Sequence, residues 1–133
     1  MSTSPEIKSK LAKQAIALRE IVTECHNRSV DAGWYHDPVT SQPLKRNIPE
    51  MLCLIHSEIS EALEGYRKNL MDDKLPHRKS IEVELADALI RIADLAGYLN
   101  LDLGAAYVEK LIYNESRADH KPENRALDGG KKF

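Results

Sequence analysis

The 133-residue sequence is poor in aromatics, which make up 5% of it with a single Trp and a single Phe, and it holds only two cysteines. Each shortage excludes something. Cys25 and Cys53 stand alone inside apolar helical patterns, with no CxxC and no Cys/His pair at zinc spacing. A disulfide framework and a structural zinc site are thereby excluded, and both residues are expected to be reduced core thiols. Nor is a cross-link required, because a chain of this length buries roughly 65–70% of the surface it exposes when unfolded. With 19 basic against 21 acidic residues and a net charge of −2, there is no broad basic field to hold a nucleic-acid backbone by counterion release. A nucleic-acid polymer is therefore not expected as a partner. No apolar run approaches the roughly 20 residues that span a bilayer, and Met1–Glu6 has no apolar h-region. No membrane partner is expected either, and the expected compartment is cytoplasmic.

What is present is helical periodicity. Apolar positions recur at three- and four-residue spacing, and the prolines cluster at apparent boundaries, so an all-α fold is expected over a single domain, residues 1–133. The first helix is expected from Pro5 to Asp31 with Ser4 as N-cap and an apolar face of Ile7, Leu11, Ala15, Leu18, Val22 and Cys25. The periodicity stops from Gly33 to Asn47, a loop that carries Trp34 and Tyr35. Asn47 is expected to cap a second helix, Ile48 to Asn69, with a buried stripe of Leu52, Ile55, Ile59, Leu63 and Tyr66. After a break at Met71–His77, Ser80 is expected to cap a third, Ile81 to Asn100, burying Ile81, Leu85, Ala88, Leu89, Ile92 and Leu99. Asp102 is expected to cap a fourth from Leu103 to Asp119, and residues 119–133 read as an extended C-terminal tail. The short link between the second and third helices makes them antiparallel neighbours.

On those two helices lie two pairs of acids at i, i+3: Glu58 with Glu61, and Glu84 with Asp87. Counted from a turn near Asp73, the pairs fall at similar height, and both are embedded in apolar sequence. Four carboxylates placed there repel one another unless a cation lies between them, and an all-oxygen set suits Mg²⁺ or Mn²⁺ over zinc. The alternative is a solvated acidic face paired with Lys or Arg. A ferritin-like di-iron site is excluded because no Glu lies three residues before any His. His36-Asp37 looks like a phosphohydrolase His-Asp pair, but Pro38 follows directly and the pair falls in a loop. Arg91, with Asp87 and Asp94 along its own helix, reads as an ion-pair ladder, and His26 and His56 as ordinary core or surface histidines.

Glu58-Ile59-Ser60-Glu61 followed by Glu84-Leu85-Ala86-Asp87 resembles the ExxE…ExxD signature of the MazG-like all-α nucleoside triphosphate pyrophosphohydrolases. The likeness extends over His56–Glu64, over Glu84–Gly97 with Leu101-Asp102-Leu103, over Lys110, Asn114 and Arg117 as KxxxNxxR, and over Gly129-Gly130-Lys131. Ser57 stands where many relatives have Glu, and the segment Lys121–Arg125 departs from the family's tail.

The resemblance implies an oligomeric four-helix bundle, a homodimer or homotetramer, that cuts a (d)NTP between the α- and β-phosphates to give the monophosphate and pyrophosphate. Deoxynucleotides are preferred, a purine such as dGTP among them. It implies Mg²⁺ (or Mn²⁺) held by Glu58, Glu61, Glu84 and Asp87, neutralising charge at phosphorus and lowering the pKa of the attacking water. Glu61 is then the catalytic residue that orients or deprotonates that water. Lys110, Asn114 and Arg117, at i, i+4, i+7, and Lys131 after its two glycines are substrate-binding groups for the phosphates. Trp34 is either a stacking platform for the base or a core plug. The rival readings are a noncatalytic helical interaction module on the same scaffold and a phosphohydrolase acting on a dinucleotide or an alarmone.

Overall fold

The computed structural model describes residues 4–133, and among them every regular element is helical apart from two isolated β-bridges. The elements are α1 (Pro5–Asp31), α2 (Ile48–Arg67), α3 (Ser80–Tyr98), α4 (Leu103–Ser116) and a single-turn α5 (Pro122–Arg125), with a 3₁₀ turn at Ala118–His120. The expectation drawn from Met1–Glu6 falls in part on residues 1–3, outside the described residues. Among the described residues no helix is long and apolar enough to cross a membrane.

The caps explain most of the boundaries. The Ser4 Oγ accepts the Ile7 N–H at 3.3 Å, Asn47 Oδ1 accepts the Glu50 N–H at 3.0 Å, and Asp102 Oδ1 accepts the Ala105 N–H at 3.0 Å. Each satisfies a donor that a helix start leaves orphaned. Ser80 departs from its expected role. Lys79 is the N-cap, its N–H bound by the Glu82 carboxylate at 3.3 Å, while Ser80 occupies the first helical position against Gly65. Where an extended tail was expected, Ala118–His120 and Pro122–Arg125 each close a turn.

The chain divides into two compact units, one of residues up to Glu20 together with Asp102–Phe133, the other Ile21–Leu101. In the second, α2 packs along α3. The pairs Gly65 with Ser80 and Glu58 with Arg91 run in opposite order along the chain, so the two helices are antiparallel. The connection is closed by a Met71–Lys79 bridge and by Asp72, whose buried carboxylate accepts the N–H groups of Lys74 and Leu75. A small core of Tyr35, Met51 and Leu95, with Val30, Ile48, Ile55 and Tyr98 against it, fixes the Gly33–Asn47 loop to the helix pair.

On α2 and α3 the buried face matches the expected one only at Ala88 and, in part, at Ile55 and Ile81. On α2 the buried residues are Met51, Glu58, Ala62 and Gly65, and on α3 they are Ala88, Ala93, Leu95 and Ala96. Leu52, Ile59, Leu63 and Tyr66 on one helix, and Leu85, Leu89, Ile92 and Leu99 on or just beyond the other, are exposed. Small residues at 62, 65 and 88 let the backbones approach closely, and that turns the acids inward and the long apolar side chains outward. Cys53 is likewise exposed rather than in the core, while Cys25 is half-buried; both are free thiols.

In the other unit, Gly104 at the start of α4 seats against the Ala15 carbonyl of α1, too close for a side chain. Arg19 clamps Asp102 through two bonds, Nε to Oδ1 at 2.9 Å and Nη2 to Oδ2 at 3.0 Å, which ties the α4 cap to α1.

Candidate metal centre

Three acids from the facing surfaces of α2 and α3 converge. Glu58, Glu84 and Asp87 each place a carboxylate oxygen within 4.8 Å of the others'. Opposite ligands of a hard divalent ion stand about 4 Å apart. Neighbouring ligands stand closer, about 3 Å, so an all-carboxylate trio confined within 4.8 Å can close on a hard cation by side-chain rotation. Glu61, one turn along α2, is exposed and is not among the three, although its carboxyl lies within hydrogen-bonding reach of Glu58 and Glu84.

The electrostatics are those of crowded acids. Burial, with the hydrogen bond to Glu58 and the charges of Glu61, Glu58 and Asp87, pushes the Glu84 carboxyl up to about 7. Asp87 is raised by burial and by Glu58, against the lowering effect of Arg91. Glu61 is raised by its contact with Glu58 and by that residue's charge. Glu58, at 7% exposure the most buried of the set, is pushed up by burial but held below the ordinary range by Arg91 together with Glu61 and Glu84. Like charges this close share protons when no cation is between them.

Arg91 is placed differently from expectation. Its Nε donates to Glu58 Oε1 at 2.6 Å, across to α2, and no ladder with Asp87 and Asp94 along α3 forms. Asp94 is taken instead by Tyr35 Oη, at 2.7 Å, and by His26 Nδ1, at 2.9 Å. His26 thus has a specific partner, and its Cβ packs over Gly97 of α3.

A cavity of about 510 Å³ opens beside the acids, with Glu58, Asp87 and Arg91 at one side and Trp34, Arg46 and Met51 among its other walls. Trp34 is 66% exposed, which corrects the core-plug alternative. Sequence reasoning missed Arg46. Its guanidinium donates to the Trp34 carbonyl at 3.1 Å and lies 5.4 Å from the Tyr35 ring centroid, while its N–H donates to Tyr98 Oη at 3.0 Å. No periodicity marks it; its place just before the Asn47 cap is the one signal available.

The remaining expected groups belong to the other unit. Arg117 pairs with Asp119 through Nε at 2.9 Å and Nη2 at 2.6 Å, and Lys131 reaches the same carboxylate at 3.0 Å. The Asp119 carboxyl is held far below its ordinary range by those two cations. Lys110 lies over the Tyr113 ring at 4.7 Å, and Asn114 Oδ1 faces Arg117 Nη1 at 3.5 Å. His36-Asp37 is not a site: the Asp37 carboxylate closes a turn by accepting the Val39 and Thr40 N–H groups, both at 2.8 Å.

No family model, no curated protein and no solved structure matches this chain.

Proposed function

We propose that the protein is a metal-dependent nucleoside triphosphate pyrophosphohydrolase of the MazG-like kind, converting a (d)NTP to the monophosphate and pyrophosphate. The observation that carries this reading is the trio Glu58, Glu84 and Asp87, two of which, Glu58 and Asp87, line a cavity that also holds Trp34 and Arg46. A cavity lined by both carboxylates and an indole matches a ligand that carries a polyanionic and an aromatic part.

Bound Mg²⁺ would neutralise phosphate charge and acidify the attacking water. Glu58, Glu84 and Asp87 would hold it. Glu61, exposed beside them, is free to orient the water, with its raised carboxyl suited to taking a proton. Trp34 offers its face to the base. For Lys110, Asn114, Arg117 and Lys131 the resemblance alone supports a phosphate-contact role, and Arg117 and Lys131 are engaged by Asp119. The exposed stripes of α2 and α3 support self-association into a dimer or tetramer, since long apolar side chains aligned along a helix face gain by burial against another surface. A cytoplasmic nucleotide pool is the natural setting.

The test is incubation of purified protein with each dNTP and NTP, with and without Mg²⁺, with products separated by chromatography, alongside Glu61→Gln and Asp87→Asn. Mg²⁺-dependent monophosphate and pyrophosphate, lost in both variants, is the expected result. Turnover of a dinucleotide or alarmone alone would move the reading to that substrate class. No turnover by folded protein would favour an interaction module built on the same exposed stripes.

A further inference from the structure

We infer that Arg91 is a built-in competitor for the metal: its guanidinium occupies Glu58 when no ion is bound, and leaves for the adjoining cavity when one arrives. The inference rests on the metal-centre reading above and concerns the regulation of that site. Three observations carry it.

Arg91 bonds the most buried acid of the trio at 2.6 Å, so a cation of the protein's own already sits on a residue the ion needs. An ion held by Glu58 would lie within about 4–5 Å of that guanidinium, where two positive centres repel strongly outside bulk water. The guanidinium also has room to turn further into the cavity it already borders. Its side chain is 44% exposed, and it lines the cavity together with Trp34 and Arg46. Released there, it would add a fixed positive charge on the wall facing an anionic ligand. Arrival of the metal would thus prepare the cavity for an anion, and an empty site would be kept electrically quiet by its own arginine. The alternative is that Arg91 stays on one Glu58 oxygen and orients the other toward the ion, as hydrogen-bond partners of metal ligands commonly do.

The two roles predict opposite signs. Mn²⁺ affinity is measured by the electron paramagnetic resonance of the free ion for the unaltered protein, Arg91→Gln, Arg91→Lys and Asp87→Asn, each checked for folding by circular dichroism; Arg91→Met replaces Arg91→Gln if the latter does not fold. Arg91→Gln is expected to bind Mn²⁺ at least about fivefold more tightly, a typical size for coupling between two sites. Arg91→Lys is expected to stay near the unaltered protein, and Asp87→Asn to lose binding. Equal or weaker binding by Arg91→Gln overturns the inference while leaving the metal reading intact. Binding by Arg91→Gln alone supports it in its strongest form. No binding by either overturns both, and so does unchanged binding by Asp87→Asn, which would put the ion elsewhere. A second readout uses Mg²⁺, which does not quench fluorescence paramagnetically. Mg²⁺ should shift the emission of Trp34, the sole tryptophan, in the unaltered protein but not in Arg91→Gln. A shift of equal size in both overturns the movement of Arg91 into the cavity.

Discussion

Tyr35 Oη donates to Asp94 Oδ1 at 2.7 Å, joining the loop after α1 to the C-terminal part of α3 two turns from Asp87. His26 Nδ1 reaches the same oxygen at 2.9 Å, with the His26 ring edge-on to Tyr35 at 5.0 Å and Tyr98 tilted against Tyr35 at 4.9 Å. The neighbour of Tyr35 is Trp34, so this bond positions the indole at the cavity. Burial, with the Asp94 contact, raises the Tyr35 hydroxyl far above its ordinary range, and it stays a donor. Tyr35→Phe should cost about 1.5–3 kcal/mol in urea denaturation, the worth of a hydrogen bond to a charged acceptor. It should also make Trp34 more accessible to acrylamide. An unchanged quenching constant would mean the loop is held by its other contacts, chief among them Arg46.

Glu84 provides a pH dependence with a definite sign. Its carboxyl is raised from 4.5 to about 7 in the folded protein, so between those values the folded state holds a proton that the unfolded chain has lost. That contribution to stability is complete below about pH 4.5 and disappears as pH rises through about 7. Without divalent ions the melting temperature should therefore decline across this window, and Glu84→Gln should flatten the decline. With Mg²⁺ the slope should reverse, because binding the ion requires the deprotonated carboxylate and releases the proton. Melting curves at pH 5, 6, 7 and 8 with and without Mg²⁺ measure both.

The close approach of α2 and α3 is concentrated at Gly65. A Cβ there would stand 2.5 Å from Ser80 Oγ and 2.8 Å from Ser80 Cβ. Gly65→Ala should destabilise by about 1–3 kcal/mol through overpacking. Ser80→Gly in the same chain should recover part of that loss, since it removes both of the clashing atoms. A double-mutant cycle on denaturant midpoints reads the coupling.

The outward stripes give the self-association reading a direct check. By the helical period, Leu52, Ile59, Leu63 and Tyr66 share one face of α2, and Leu85, Leu89 and Ile92 one face of α3. Leu63→Glu with Leu89→Glu should turn a dimer or tetramer into a monomer in light-scattering chromatography while the helical circular dichroism persists. Exposed positions tolerate charge in a monomer, so a chain already monomeric would show no change.

Four helices, their starts at Pro5, Ile48 and Leu103, and the pairing of two ExxE/D motifs at one height were legible from local signals. Caps and hydrophobic periods act within one or two turns, and residues three apart share a face whatever the helix packs against. The sequence by itself therefore determined the helices and brought the acids to candidate positions. It did not determine which face of each helix turns inward. Periodicity marked the leucine and isoleucine stripes as buried, and Ala88 with them; of these Ala88 is buried, while the small residues Ala62 and Gly65 let the backbones close nearer the acidic face. Only that approach decided that Glu58 is buried, that Glu61 lies outside the trio, and that Arg91 reaches across to Glu58 rather than along its own helix. The partnerships of Asp94 with Tyr35 and His26, and of Arg46 with Trp34, span 12 to 68 residues of chain. No local pattern encodes such distances, because they are set by how elements pack after each has formed.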